Sequence, residues 1–582
     1  MKEQKQMSLI FPYDDSVYRQ MTDTACHDVG LDSLCKELSD DPKEQKLIMD
    51  VISSMTADIR VSEYRQAVFG DFLALPDMCR RMTELFDKLE YLRGYASLKR
   101  SSDERLGVLY LLHRLSELNE YITCVEEMND CLTKSDIHSE GLCRFRDLIA
   151  SLYEEQSFAE MKKDIYALKE KTADIRSVTV GINLTDTFEA ESLGLISINK
   201  KPFRKSGVVS NFADSVANKN GIKDTTEWNG DMHYHQADSN SNFSISSITD
   251  ILEVGHRHNV ANMQMLAMAR HISKDTTTVN VPEGDGMRRS TFYLENITNK
   301  LLNHLVKKLS ETLTKYVDTA VLNISGFIPE FIYYIRFAEF VNRCRDRGMV
   351  FCTPAPCDDN DTSMDTRGFY NLKLAVNTEH IKDIVTNDLV FDKNNSIYIL
   401  TGANRGGKTT VTQAIGLLFV LAQAGITVPA DMFRYHPVDC IYTHFPADED
   451  KTMDLGRLGE ECVRFKEIFS SCTEDSLLLL NETFSTTSFE EGYYIARDSV
   501  KALLSKHCRV IYNTHMHKLA ADAQVLTDES GITGVSSLVM QNYGGKRSFR
   551  LKAAAPEGMS YARDIAEKYG VTYEMLMSSG KE

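Results

Sequence analysis

The chain has 582 residues, 42% of them hydrophobic and 26% charged, with a net charge of −18; this is the composition of an ordinary globular protein, and the length suits about four domains. No apolar run approaches the ~18 residues of a membrane span, residues 1–15 lack the cationic start and cleavage site of an export signal, and the thirteen cysteines form no C-x-x-C. These features argue against a membrane protein, an exported disulfide scaffold, a zinc site and a polycation that coats nucleic acid, and they indicate a cytoplasmic protein with reduced thiols.

From about Tyr18 to Lys171 apolar residues recur at three and four spacing, as in Phe86, Leu89 and Leu92 or Leu111, Leu115 and Leu118, which predicts a helical core domain over 1–175. The pattern then shortens and alternates at Ser177–Leu184 and Gly194–Asn199, predicting strands of a small β insertion over 176–286. Residues 216–247 are rich in Asn, Asp, Ser and Gly and hold Trp228, and they read as a long polar loop. His233, His235, His256 and His258 lie in and beyond it without a third partner at metal-ligand spacing. The local basic spots are Lys200, Lys201, Arg204 and Lys205, then Arg288, Arg289, Lys307 and Lys308; a solvated face is the ordinary reading of such clusters. Helical periodicity returns over 287–352 as an arm broken near Gly326, with Phe327, Phe331, Ile335, Ala338 and Val341 on one stripe. A proline- and aspartate-rich linker, Thr353–Asp365, precedes a last unit, 366–582.

That unit carries the chemistry. Gly402, Ala403, Asn404, Arg405, Gly406, Gly407, Lys408 and Thr409 match G-x-x-x-x-G-K-[ST], with an apolar strand before the loop and an apolar helix after it. Glycines let successive N–H groups turn toward phosphate oxygens, Lys408 reaches the outer phosphates, and the Thr409 hydroxyl ligates Mg²⁺. A second buried strand, Leu477–Leu480, ends in Asn481 and Glu482, where a P-loop ATPase carries its acidic pair. Glu482 is the candidate base or water-orienting group. A third strand, Val510–Asn513, runs into Thr514 and His515, which places an imidazole as a sensor near the γ-phosphate.

In these segments the chain resembles the MutS family of mismatch-repair ATPases. The loop from Thr401 to Thr410 is similar to TGPNxGGKST, and Asn481-Glu482 with Ser485-Thr486-Thr487-Ser488 and Gly492 follows DEIGRGTSTxDG. Asn513-Thr514-His515-Met516-His517-Lys518-Leu519 resembles ATHYHEL, and Ser560-Tyr561-Ala562 resembles the SYG segment. The resemblance implies a mainly α-helical core and lever with a small β insertion, followed by a C-terminal α/β P-loop ATPase domain of the ABC type. It also implies ATP and Mg²⁺ as ligands, with Thr409, Asn481 and Glu482 at the metal, Ile384 and Thr410 in the nucleotide site, and Glu482 and His515 at the hydrolytic end. A homodimer is implied as well, each site being completed by the partner's signature segment near Leu455–Glu461, where Gly459 offers an N–H. Glu557–Ser579 resembles the family's helix-turn-helix dimerisation element.

Three departures matter. Asn481 replaces the metal-orienting aspartate, which keeps an oxygen acceptor and removes a charge. Ile384 stands where the family commonly places an aromatic residue against adenine, so looser base selectivity is expected. With the helical core expected to begin almost at Met1, the family's mismatch-reading and connector domains are not expected before it. The expectation is therefore a dimeric, ATP-hydrolysing clamp on structured or mismatched duplex DNA, held largely by phosphate contacts, in mismatch repair or recombination and structured-DNA processing rather than direct mismatch reading. The alternative is a weakly hydrolysing, nucleotide-gated scaffold for a protein or ribosomal partner.

Overall fold

The computed structural model describes residues 7–98, 108–172, 177–184, 186, 190–199, 278–280, 311–312, 324, 326–357, 364–392, 394–403, 405–446, 456–530, 534–543, 546–556, 567 and 569–579. Asn404, Leu455, the eight basic positions and four histidines named above, the polar stretch 216–247, most of 287–323 and most of 557–572 lie outside them.

In chain order the first elements are β1 (Arg19–Gln20), α1 (Asp23–Val29), α2 (Leu31–Leu38), α3 (Pro42–Ile52), β2 (Ser54–Met55), α4 (Ile59–Ala74), α5 (Pro76–Leu98), α6 (Val108–Lys134), α7 (Glu140–Glu154) and α8 (Gln156–Thr172). Next come β3 (Ser177–Leu184), β4 (Ala190–Asn199), β5 (Thr278–Asn280), α9 (Ile328–Asp346), β6 (Ala355–Pro356), β7 (Met364–Phe369), α10 (Leu372–Val376), β8 (Asn387–Phe391) and β9 (Asn395–Thr401). The last are α11 (Lys408–Gln423), β10 (Met432–Tyr435), β11 (Ile441–His444), α12 (Gly456–Ser471), β12 (Leu477–Asn481), α13 (Phe489–Lys506), β13 (Arg509–Asn513), α14 (His517–Ala521), α15 (Ala523–Ser530), β14 (Gly534–Tyr543), β15 (Lys546–Ala553) and α16 (Tyr573–Ser579). Helices and mixed sheets thus share the molecule.

Two compact units form: one from Met1–Thr83, Leu132–Arg146 and Gly326–Glu582, the other from Glu84–Cys131 and Asp147–Ser325. In the second unit β3, β4 and β5 make an antiparallel sheet in that order, and among the helices the Tyr121 and Phe158 rings meet edge-on at 6.5 Å.

The first unit is built on a six-stranded sheet of order β11-β12-β13-β9-β14-β15, parallel except for β15 at the edge. Its central strands are apolar along most of their length because helices cover both faces, and Leu477 to Leu480 are all fully buried. Register puts Asn481 beside Asn513 and Asn513 beside Leu400, so β12, β13 and β9 finish in one row. A smaller sheet of order β6-β10-β7-β8 lies in the same unit.

Helices of residues 1–83 pack in this unit, and α1, α3 and α4 are each started by a side chain that satisfies a free amide. Thr22 accepts from Ala25 N, Asp41 from Lys43 N and Asp58 from Arg60 N. The stripe Phe327, Phe331, Ile335, Ala338 and Val341 is buried, and Phe331 meets Phe145 at 4.8 Å and Phe72 at 5.3 Å. The far end of α11 is tied down by hydrogen bonds: Gln423 Nε2 donates to Thr56 O and Val438 O, and Arg65 Nη1 donates to Gln423 O. The pair β1 and β2 lies inside the stretch read from periodicity as helical; two residues carry no period.

Candidate functional site

The strand β9 enters the loop at Thr401 and α11 leaves it at Lys408. Gly402 turns at φ +146 against Met540, whose Cβ would stand 2.9 Å from a Cβ at 402. Gly407 has φ +93, caps α11 without any side-chain bond, and so leaves the first amides of that helix facing the loop. Gly406 N donates to Ala403 O at 3.0 Å, and Arg405 sits at φ +58.

Lys408 is 6% exposed and donates to Gly402 O at 3.2 Å. Its Nζ lies 3.5 Å from His515 Nε2 and 4.0 Å from Glu482 Oε1. Burial lowers the Lys408 pKa, and the Glu482 carboxylate opposes that shift. His515 holds the same carboxylate twice: Nε2 is 3.0 Å from Oε1, and the backbone N donates to Oε2 at 3.3 Å. Glu482 itself takes a left-handed backbone at φ +54, locked by its N–H to Asn513 O at 2.8 Å. The turn directs its side chain back across the strand ends toward Lys408.

Thr409 Oγ1 donates to Asn481 Oδ1 at 3.2 Å, and Asn513 Nδ2 donates to the same oxygen. The threonine proton is therefore spoken for and its oxygen lone pairs are left available. Asn371 Nδ2 donates to Thr410 O at 2.9 Å, fixing the second residue of the helix from outside. A cavity of about 510 Å³ opens over the loop. Of the residues singled out from sequence, Ile384, Arg405, Gly406, Gly407, Lys408, Thr409, Thr410, Glu482 and His515 line it. Gly402 and Ala403 are not among the lining residues, and their carbonyls accept from Lys408 Nζ and Gly406 N. Asn481 lines a neighbouring cleft of about 1010 Å³ that also carries Lys36, Lys46 and Lys373.

Gly459 is the fourth residue of α12. Glu461 is turned inward, accepting from Thr486 Oγ1 at 3.0 Å, and burial raises its pKa.

Reading the sequence missed three contributors. Asn513 appeared there only as part of a motif, yet its amide positions Asn481. Asn387 and Phe549 were not noticed at all, although both line the cavity; the β14–β15 hairpin that brings Phe549 has no motif to announce it. Among the described residues no His, Cys, Asp and Glu side chains group as a ready-made metal cluster, and no helix is long and apolar enough to cross a membrane. All thirteen cysteines are free thiols, and most are buried.

Comparison with known proteins adds to this geometry. The model of MutS domain V matches residues 398–570, and the model of the MutS2 N-terminal domain matches residues 57–275. The DNA mismatch repair protein MutS of Prochlorococcus marinus is 30% identical over 211 residues, 34% of this chain and 23% of that protein. The endonuclease MutS2 of Thermus thermophilus is 29% identical over 204 residues, 34% of this chain and 26% of that protein. A MutS of Desulforamulus reducens is 34% identical over 149 residues, 25% of this chain and 17% of its own length. The chain thus matches about a quarter or less of the length of these curated relatives.

Proposed function

The chain is a MutS-family protein, and from that premise we propose that the loop 402–409 binds ATP with Mg²⁺ and that hydrolysis gates a homodimeric clamp on DNA. The observation that carries this reading is the meeting of Lys408, Glu482 and His515 within 4.0 Å of one another at the carboxyl ends of parallel strands. Open α/β sheets bind ligands at that end.

The free amides at the start of α11 and the Lys408 ammonium take the phosphates, and Lys408 exchanges its bond to Gly402 O for a phosphate oxygen. A hydroxyl, a carboxamide oxygen and a carboxylate, from Thr409, Asn481 and Glu482, suit Mg²⁺, which takes few protein ligands and completes its shell with phosphate and water. An ion held there would supply positive charge against the phosphates during transfer. Glu482, oriented by His515, accepts a proton from the attacking water or orients it. Gly459 presents its N–H to the partner subunit's nucleotide, so two chains close on two nucleotides. ATP biases the closed state only by binding it more tightly than the open one. The DNA is gripped through phosphates and shape, in repair of mismatched or branched duplex.

Asn481 favours a second reading, a nucleotide-gated scaffold with little turnover for a protein or ribosomal partner, because the carboxamide brings no charge to the metal. Steady-state ATPase measurement with Glu482→Gln as control separates the two. The clamp reading expects the variant to fall about 100-fold or more below the parent protein; equal rates would leave the scaffold.

A further inference from the structure

The cleft beside the nucleotide cavity has a volume of about 1010 Å³, at the upper end of the range for small-molecule sites. Elements distant in sequence line it within the first unit: α1, α2 and α3 together with α10, α11, α12 and Asn481, the last residue of β12.

Cations gather here without partners. Lys36 from α2, Lys46 from α3 and Lys373 from α10 line the cleft, and none of them pairs with a carboxylate among the described residues. Lys373 reaches the junction of α1 and α2, its Cδ lying 3.8 Å from the position a Cβ on Gly30 would take. Arg464 from α12 adds a fourth cation, its Nη1 donating to Phe445 O at 3.2 Å. The carboxylates of the lining are already engaged: Asp28 accepts from Thr443 Oγ1 at 2.6 Å, and Asp32 lies 2.9 Å from His27 Nδ1. In a chain with 84 acidic and 66 basic side chains, ammonium groups left unpaired around one cleft repel one another until an anion joins them.

Asn481 adds a donor. It is 7% exposed, and its Oδ1 already accepts from Thr409 Oγ1 and Asn513 Nδ2. Its Nδ2 has no acceptor among the described residues, although the residue lines the cleft. A donor unmatched in so covered a residue calls for an acceptor, and the cleft is where one can stand. A carboxylate at this position would instead repel an anion there.

We infer that this cleft is a second anion site, separate from the loop 402–409, for a small molecule that carries a diphosphate or a comparable multiply charged group. The lysines, as flexible point charges, meet phosphoryl oxygens in several orientations, and the Asn481 amide takes one oxygen. A diphosphate fills only part of such a volume, and Met49 and Phe445 offer apolar surface to an organic remainder. The site stands whether or not the loop binds ATP.

Calorimetry on the whole chain with inorganic pyrophosphate, without magnesium, tests this. The parent protein should titrate two sites and Lys408→Ala one. In that Lys408→Ala background, changing Lys36, Lys46 and Lys373 together to Gln should weaken the remaining site about tenfold or more, and each single change about two- to fivefold. Asn481→Asp in the same background should weaken it as well. The triple lysine variant with Lys408 intact should bind ATP with magnesium as the parent does, which shows that it folds and keeps the two sites apart. A single site in the parent that Lys408→Ala abolishes would overturn the cleft and leave the loop standing, as would a second site that none of the lysine changes weakens. Pyrophosphate binding that needs the three lysines, in a parent that binds no ATP, would remove the loop and leave the cleft. A short single-stranded oligodeoxynucleotide that binds through the same lysines more tightly than pyrophosphate would assign the cleft to a nucleic-acid strand and overturn the small-molecule assignment.

Discussion

Asn481 Oδ1 accepts two hydrogen bonds, from the Thr409 hydroxyl at 3.2 Å and from the Asn513 amide. Both would be accepted equally by a carboxylate, so the asparagine is not demanded by its neighbours. What it lacks is charge, and at the proposed metal site a residue only 7% exposed loses much by that. Asn481→Asp orphans no donor and places one negative charge beside Thr409, the proposed metal-facing threonine. The magnesium concentration giving half-maximal ATP turnover should fall severalfold in this variant. A titration of rate against magnesium at saturating ATP reads it; no change would mean that Asn481 only positions Thr409 and that metal affinity is set by phosphate.

His444 ends β11 and binds two other elements. One ring nitrogen lies 3.1 Å from Thr483 Oγ1 in the turn after β12, and the other 3.2 Å from Glu461 O in α12. Both contacts suit the neutral ring, with Nε2–H donating to the carbonyl and Nδ1 accepting from the hydroxyl. Burial first, and Arg464 second, lower its pKa to about 4. The unfolded chain protonates its histidine from about pH 6.5 downward while the folded one does not, so stability is complete above pH 6.5 and falls as the pH drops toward 4. Between pH 6.5 and 5 this histidine removes on the order of 2 kcal/mol. His444→Gln should be less stable at pH 7 but show a shallower decline over that window in denaturant unfolding; parallel curves would show that other groups set the acid limb.

The same element scale shows what the sequence reveals. Ser396–Leu400, Leu477–Leu480 and Val510–Asn513, read as buried strands, differ by at most one residue at either end from β9, β12 and β13. Parallel strands covered on both faces must be apolar throughout, and glycines at fixed offsets mark the loop between strand and helix. Phe549 was hidden because its place depends on a bulge and on Asn387, 162 positions away. Periodicity likewise marks helices without saying which share a core: residues 1–83 join 326–582, whereas 84–131 do not.

At the scale of the whole chain, −18 charges repel a polyanion, so a grip on DNA must come from a few local cations. Each phosphate neutralised releases counterions, and affinity for a forked duplex should fall about tenfold or more between roughly 50 and 200 mM salt even for a small number of contacts. Shape recognition adds a ranking: a four-way junction should bind more tightly than homoduplex, with a single mismatch close to homoduplex. Gating adds a constraint that a passive DNA binder would not meet. If ATP with magnesium changes junction affinity by some factor, saturating junction must change ATP affinity by the same factor, because the two equilibria close one thermodynamic cycle. Anisotropy with labelled junction and calorimetry with ATP, both on Glu482→Gln so that turnover does not blur the equilibrium, give the two factors. Junction binding that ignores both salt and ATP would remove the clamp and leave the scaffold, and structured RNA in the same assay would then be the ligand to rank against DNA.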